Sequence, residues 1–166
     1  MQRRLFLLAL VALVVVALGT WAYDRFLSKA TTGPLPREVE GIPLVELQSG
    51  QEALKSINRL HGTSIEVVDG YVATYRKGAE KVQVWISRAV SEERARELVE
   101  IMTQKMQDNP VFEKPERFDI KGRTFYFTTG AGMQNYYWAQ GTDVYWVGVV
   151  SPNEMKIIQK FISHPR

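Results

Sequence analysis

The chain has 166 residues, 45% of them hydrophobic and 23% charged, with 12 Gly and 7 Pro, so it suits one folded domain and excludes a disordered or collagen-like chain. It has no cysteine and two histidines, which excludes disulfides, thiolate metal sites and a Cys nucleophile. The net charge of +3 is carried entirely by residues 1–29, so residues 30–166 are neutral and lack the clustered positive charge that a nucleic-acid surface needs.

The first element is an apolar segment, residues 5–23, that contains no charged side chain. As a helix, its 19 residues would be roughly 28 Å long, close to the ~30 Å hydrocarbon core of a bilayer. Arg3 and Arg4 precede the segment, and Trp21 and Tyr23 close it, which is the order of a basic cytoplasmic flank and an aromatic interface. We predict a single-pass signal-anchor with a cytoplasmic N terminus and a periplasmic or cell-surface domain.

Two alternatives for this segment stay open. Ala17, Leu18 and Gly19 form a small-x-small pattern that signal peptidase cleavage would use, and the residues before it fit the apolar region of a signal peptide. Arg3 and Arg4 also resemble the core of a twin-arginine export signal. Bulky Trp21 and Tyr23 follow the cleavage pattern, and this favours an uncleaved anchor that spans residues 1–29.

A Pro- and Gly-containing stretch, residues 30–41, predicts a tether, after which the domain is expected to cover residues 42–166. The first half of the domain predicts a short strand at 44–47 and a helix at 50–61 after a Ser49–Glu52 capping box. Strands at 64–68 and 71–76 and one around residues 82–86 follow. Ser91 is then predicted to cap a long helix that ends by residues 109–110.

The second half of the domain predicts a meander with strands at 117–121, 123–128, 134–140 and 143–150. Ser151 and Pro152 predict the start of a last helix. The predicted fold class is therefore α+β: an N-terminal transmembrane helix, then a small domain in which about three helices pack on one face of an antiparallel β-meander.

No arrangement of residues meets the pattern of a known catalytic motif. Gly130-Ala131-Gly132 lacks the third glycine and following helix of a nucleotide loop, and it predicts a hairpin turn instead. His61 closes a predicted helix, where an imidazole suits the terminal carbonyls, although a ligand or proton-transfer role is the alternative. We therefore assign no catalytic residue, no metal site and no cofactor.

The most unusual feature is the aromatic content of the meander, where nine aromatic residues lie between Phe118 and Trp146. Neighbouring strand residues point to opposite faces, so both faces must carry aromatic side chains. We expect Phe125 and Phe127 to be buried, and Tyr126 and Tyr137 to be partly exposed. The candidate interaction surface consists of Tyr126, Tyr136, Tyr137, Trp138 and Tyr145. The alternative is that these aromatic residues are all covered core.

Three functions are compatible with these patterns. The first is a non-catalytic, membrane-anchored accessory protein, a subunit or assembly factor that docks on a larger membrane protein complex through the aromatic surface. The second is an extracytoplasmic ligand-binding or sensing module that holds a small apolar molecule on the aromatic face. An enzyme is the remote alternative. The expected partners are the membrane and a protein complex or small ligand, without nucleic acid.

Overall fold

The computed structural model describes residues 35–61, 65–120 and 122–163. The predicted anchor lies outside these residues, as do its flanking Arg3, Arg4, Trp21 and Tyr23. Across the described residues, none of the helices is both long enough and apolar enough to cross a bilayer.

The described domain is an α+β fold with an eight-stranded sheet and three helices. The strands are β1 (Glu38–Val39), β2 (Ile42–Ser49), β3 (Asp69–Lys77), β4 (Glu80–Arg88), β5 (Glu116–Ile120), β6 (Arg123–Gly130), β7 (Met133–Gln140) and β8 (Asp143–Val150). The helices are α1 (Gly50–His61), α2 (Glu92–Met106) and α3 (Glu154–Ser163). The antiparallel α+β class and the last four strands agree with the sequence prediction.

All neighbouring strands are antiparallel, and their order is β1-β2-β3-β4-β8-β7-β6-β5. The two halves of the chain are therefore two meanders that meet where β4 pairs with β8. In this central pair, Trp85 lies directly opposite Trp146. The β6–β7 connection is a two-residue turn in which Ala131 and Gly132 both have positive φ, as the predicted hairpin requires.

The two faces of the sheet are covered by different helices. Helix α3 packs on the face that carries Tyr75, Trp138 and Val147, and it forms the larger core. Helices α1 and α2 pack on the opposite face, α1 beside Val72 and α2 over Tyr137. The predicted arrangement with all helices on one face is thus wrong, because both faces of the central strands are apolar and each needs a cover.

The folded domain begins earlier in the chain than residue 42. Leu35 and Val39, which the sequence assigned to the tether, are 1% and 0% exposed in the core under α3. The hydroxyl of Tyr75 also donates a hydrogen bond of 2.8 Å to the carbonyl of Pro36. Residues 35–41 therefore belong to the domain, and the available signal was that Leu35 and Val39 are the two large apolar residues of the stretch at 30–41.

Three local predictions are tested by the helix and strand ends. Ser91 caps α2, since its hydroxyl accepts a hydrogen bond of 3.1 Å from the Arg94 amide. The last helix begins at Glu154 rather than Pro152, which lies in a turn. The predicted strand at 64–68 does not form over residues 65–68, and the strand begins at Asp69 instead.

Candidate functional site: a groove between two helices

A groove of about 440 Å³ lies over the central strands, between α1 and α2. This volume falls in the range of roughly 300–1,000 Å³ that ligand pockets occupy. Ile57 and Ile65 form one wall, and the inner side of α2 forms the other. The α2 residues that line it are Leu98, Ile101, Met102, Lys105 and Met106. The groove exists because α1 packs over β2 and β3 while α2 packs over β7 and β8, which leaves a gap above the junction of β4 and β8.

The floor of the groove is formed by the paired tryptophans Trp85 and Trp146. Trp146 ends a row of stacked rings that crosses three strands under α2. Its ring lies 5.1 Å from that of Tyr137 with the planes 7° apart, and Tyr137 lies 5.1 Å from Tyr126 with the planes 10° apart. The side chains of such a cross-strand row restrain one another, so the floor is preformed.

Trp146 is held from two further directions. Its ring meets that of Phe112 edge-to-face at 5.4 Å. Its indole nitrogen donates a hydrogen bond of 3.2 Å to Asn135 Oδ1. Because the one polar atom of this side chain is already satisfied, Trp146 presents only an apolar surface to the groove.

Asn135 is a buried polar side chain whose hydrogen bonds are all made within the protein. It is 3% exposed, and its amide nitrogen donates to the carbonyls of Gly130 and Met133 at 3.1 and 2.9 Å. It lies opposite Gly148 on β8, and a Cβ on this glycine would be 2.9 Å from Asn135 Oδ1. The glycine therefore makes room for the carboxamide that fixes Trp146.

Methionines are concentrated around the groove. The chain has 5 Met, and three of them line it: Met102, Met106 and Met133. The thioether side chain is unbranched and polarisable, and it adapts to ligands of irregular shape. A rigid tryptophan floor is thus combined with adaptable walls.

Few polar groups face the groove. Gln83 and Ser87 on β4 line the floor, and Asn109 lies at one end. Lys105 in the last turn of α2 is the one charged side chain among the described lining residues. Aliphatic and aromatic surface with a few polar groups is the usual chemistry of a small-molecule site.

The predicted aromatic surface is largely buried. Tyr136, Trp138 and Tyr145 belong to the core under α3. Tyr137 is 0% exposed under α2, where its hydroxyl lies 3.1 Å from Thr103 Oγ1, and burial raises its pKa to about 12. Of the five residues, Tyr126 alone is partly exposed. The expected exposure of Tyr137 is wrong, whereas Phe125 is buried as expected and Phe127 is partly buried.

Sequence reasoning placed neighbouring aromatic residues of each strand on opposite faces, but it left the register between strands open and missed the groove. Tyr137 and Trp146 share a face, and Trp138 and Tyr145 share the other. The missing information was the pairing of β4 with β8, because Trp85 and Trp146 are 61 positions apart in the sequence.

A second, more polar depression lies on the other side of α2. It is lined by Arg96, Arg117 and Arg123 together with Glu100. Arg123 donates to Gln140 at 2.6 Å, and Arg117 donates to Thr124 at 3.4 Å. Two of these guanidinium groups are therefore already engaged by neutral side chains within the domain.

An ion pair between the partly exposed Arg88 and the buried Asp143 closes one end of the central strands. Asp143 is 0% exposed and accepts a hydrogen bond of 2.9 Å from Arg88 Nε. This bond raises the pKa of Arg88. Removal of Arg88 would leave the buried carboxylate of Asp143 uncompensated, so the pair fixes the β4–β8 register next to the groove. Within residues 35–61, 65–120 and 122–163, no cluster of three or more His, Cys, Asp or Glu side chains could hold a metal ion.

No protein-family model matches the sequence, and no curated protein matches it. A solved structure with a related arrangement is that of the extracellular domain of PknH from Mycobacterium tuberculosis. The two chains are 10% identical, the match covers 73% of this chain and 80% of that chain, and the TM-score is 0.45. A similarity at this level carries no conclusion about function.

Proposed function

We propose that this protein is a membrane-anchored ligand-binding module that holds an apolar small molecule in the groove between α1 and α2. The anchor would be the apolar segment at residues 5–23, with the folded domain outside the cytoplasm. The observation that carries the proposal is the groove itself: a preformed floor of Trp85 and Trp146 under walls of aliphatic and methionine side chains.

The chemistry of the groove supports a ligand more than a second protein. A cavity of about 440 Å³ between two helices matches a small molecule, whereas protein interfaces are broader surfaces with a central anchor. The accessory-subunit hypothesis depended on exposed tyrosines. Four of the five residues named for that surface are buried, so docking through them would require a helix to leave the sheet.

Apolar ligands would gain affinity by burial, because each methylene removed from water contributes about 0.8 kcal/mol. The groove needs little rearrangement for this, since Trp146 is held by Tyr137, Phe112 and Asn135. A preorganised site loses less entropy when its ligand binds. Gln83 and Ser87 remain available to hydrogen-bond a polar atom of the ligand.

Photo-crosslinking tests the proposal on the full chain in lipid nanodiscs. The probe is a neutral long-chain alkyl alcohol with a diazirine on the chain, and labelled peptides are mapped by mass spectrometry. We expect labels on peptides that contain Trp85, Met102 or Met133. The variant Gln83→Phe fills the groove and should lower this labelling at least about fivefold, which corresponds to ~1 kcal/mol of binding.

Gln134→Phe is the matched control, because it makes the same change at an exposed position of β7 outside the groove. It should leave labelling unchanged. Labels confined to other parts of the domain, or equal labelling of both variants, would overturn the proposed function.

The location of the domain is tested separately. Retention of the anchor predicts that protein extracted from membranes has the mass of the full chain, and a mature chain that begins near Thr20 would contradict it. Protease added to spheroplasts should digest the domain without lysis. Resistance of the domain until lysis would mean that the topology is reversed.

A further inference from the structure

We infer that the ligand of this groove is a long-chain acyl compound whose anionic head group, such as a carboxylate, contacts Lys105. This inference rests on the proposed function and names the class of molecule that the same site would take. It is carried by the position and isolation of one charge on a lining that is mostly apolar and otherwise uncharged.

The charge of the groove is unbalanced. Lys105 lines it, and no Asp or Glu does so among the described residues. Lys105 also forms no ion pair with any residue that the structure describes. Its neighbours Arg94 and Arg96 on α2 are both paired with glutamates. An anionic group on a ligand would be the charge complement that the protein itself does not provide.

The position of Lys105 suits a head group rather than a chain. It is exposed in the last turn of α2, one helical turn from Ile101, which is 40% exposed. Residues four apart on a helix lie on one face. A lysine at such a rim packs its aliphatic stem on the apolar wall and keeps its ammonium group in water. The head group of the ligand would then remain at the mouth while the chain lies on the tryptophan floor.

A flexible apolar chain suits the remaining lining better than a rigid aromatic ligand does. The walls are built from Ile57, Ile65, Leu98 and three methionines, whose side chains can follow a bent chain. An alternative ligand is a quaternary ammonium compound, since such cations bind the faces of tryptophan rings. Lys105 at the mouth would repel that cation, and this favours the anion.

Three probes with the same diazirine-labelled alkyl chain separate these options: a carboxylate, the corresponding alcohol and a trimethylammonium compound. Each is crosslinked to the full chain in zwitterionic nanodiscs, to the wild type, Lys105→Gln and Lys156→Gln. Lys156 is an exposed lysine of α3, on the opposite face of the sheet, and provides the matched control.

We expect the carboxylate to label the groove peptides most strongly. Lys105→Gln should reduce its labelling about two- to fivefold, the effect of one exposed ion pair. Labelling by the alcohol should not change, and Lys156→Gln should resemble the wild type. At equal concentrations of free probe in the water phase, a carboxylate probe two methylenes shorter should bind about 15-fold more weakly if the chain is buried.

The outcomes distinguish the two proposals. If carboxylate and alcohol label the groove equally and Lys105→Gln has no effect, the head-group inference is overturned while the apolar site stands. If the trimethylammonium probe labels most strongly, the charge preference is the reverse of ours and the inference is also overturned. If none of the probes labels the groove peptides, the proposed function fails and the inference fails with it.

Discussion

Gly148 offers a sharp test of how the groove floor is built. An alanine here would place its Cβ 2.9 Å from Asn135 Oδ1 and 3.1 Å from Met133 Sδ. The methionine can swing into the groove, but Asn135 is tied by its bonds to Gly130, Met133 and Trp146. Gly148→Ala should therefore strain the carboxamide rather than a flexible side-chain end.

The magnitude follows from opposing effects. Overpacking a filled site destabilises by about 1–3 kcal/mol, and alanine regains roughly 0.5–1 kcal/mol over glycine in a strand. We expect Gly148→Ala to lower the free energy of unfolding by about 1–2 kcal/mol. Asn135→Ala leaves the Trp146 indole N–H and two carbonyls without their partner, which costs about 1–3 kcal/mol.

The double variant Asn135→Ala with Gly148→Ala tests whether the two side chains compete for the same space. With the carboxamide gone, the methyl group at position 148 occupies vacated space, so adding Gly148→Ala to Asn135→Ala should cost nothing. The coupling free energy should then equal the cost of Gly148→Ala in the wild type, about 1–2 kcal/mol, which exceeds the ~0.5 kcal/mol within which independent sites add. Equilibrium denaturant unfolding of the full chain in mild detergent, followed by tryptophan fluorescence, measures it.

Met133→Ala combined with Gly148→Ala is the matched control, and it should show little coupling because the thioether can move away. Additive effects of Asn135→Ala and Gly148→Ala would refute the reasoning that the glycine exists to seat the carboxamide. Strong coupling to Met133 instead would show that the methionine, rather than Asn135, is the fixed neighbour.

Three further predictions concern the domain as a whole. Leu35→Ala should lower the free energy of unfolding by about 2–5 kcal/mol in denaturant unfolding, because Leu35 is buried in the core. Val45→Ala, at an exposed position, is the control and should change this free energy by less than ~0.5 kcal/mol. Burial raises the pKa of Tyr137 to about 12, so the folded state keeps a phenol proton that the unfolded state loses near pH 10. The free energy of unfolding should therefore fall by roughly 2.7 kcal/mol as the pH rises from about 10 to about 12. Tyr137→Phe should flatten this alkaline decline in a series of melts, and an unchanged slope would contradict the assignment. Ala131→Gly should raise the free energy of unfolding by about 0.5 kcal/mol, because the relief of a positive φ of 52° outweighs the larger chain entropy that glycine loses on folding. A lower melting temperature of this variant would contradict the prediction.

The local elements were accessible from the sequence because their signals are local. Alternating residues predicted the four strands of the second meander, and Ser91 predicted the start of α2. The same alternation correctly placed Tyr137 and Trp138 on opposite faces. Each of these inferences needs only the period of a strand or the unsatisfied amides at a helix end.

Contacts between distant parts of the chain escaped prediction. Whether Tyr137 is exposed depends on where α2 packs, and α2 follows β4 but covers β7 and β8 in the other half of the chain. The inclusion of Leu35 in the core depends likewise on α3, at the other end of the domain.

By itself, the sequence determined an α+β domain with an antiparallel meander, the Ser91 cap of α2, the hairpin turn at 130–132, and the alternation of aromatic side chains between faces along each strand. Only the tertiary structure decided that helices cover both faces and that β4 joins β8. The pairing of β4 with β8 places Trp85 beside Trp146, and the space left between α1 and α2 makes them the floor of a groove. The physical reason is that strand period and helix capping are set by neighbouring residues, whereas a cavity is set by packing between elements far apart in the chain.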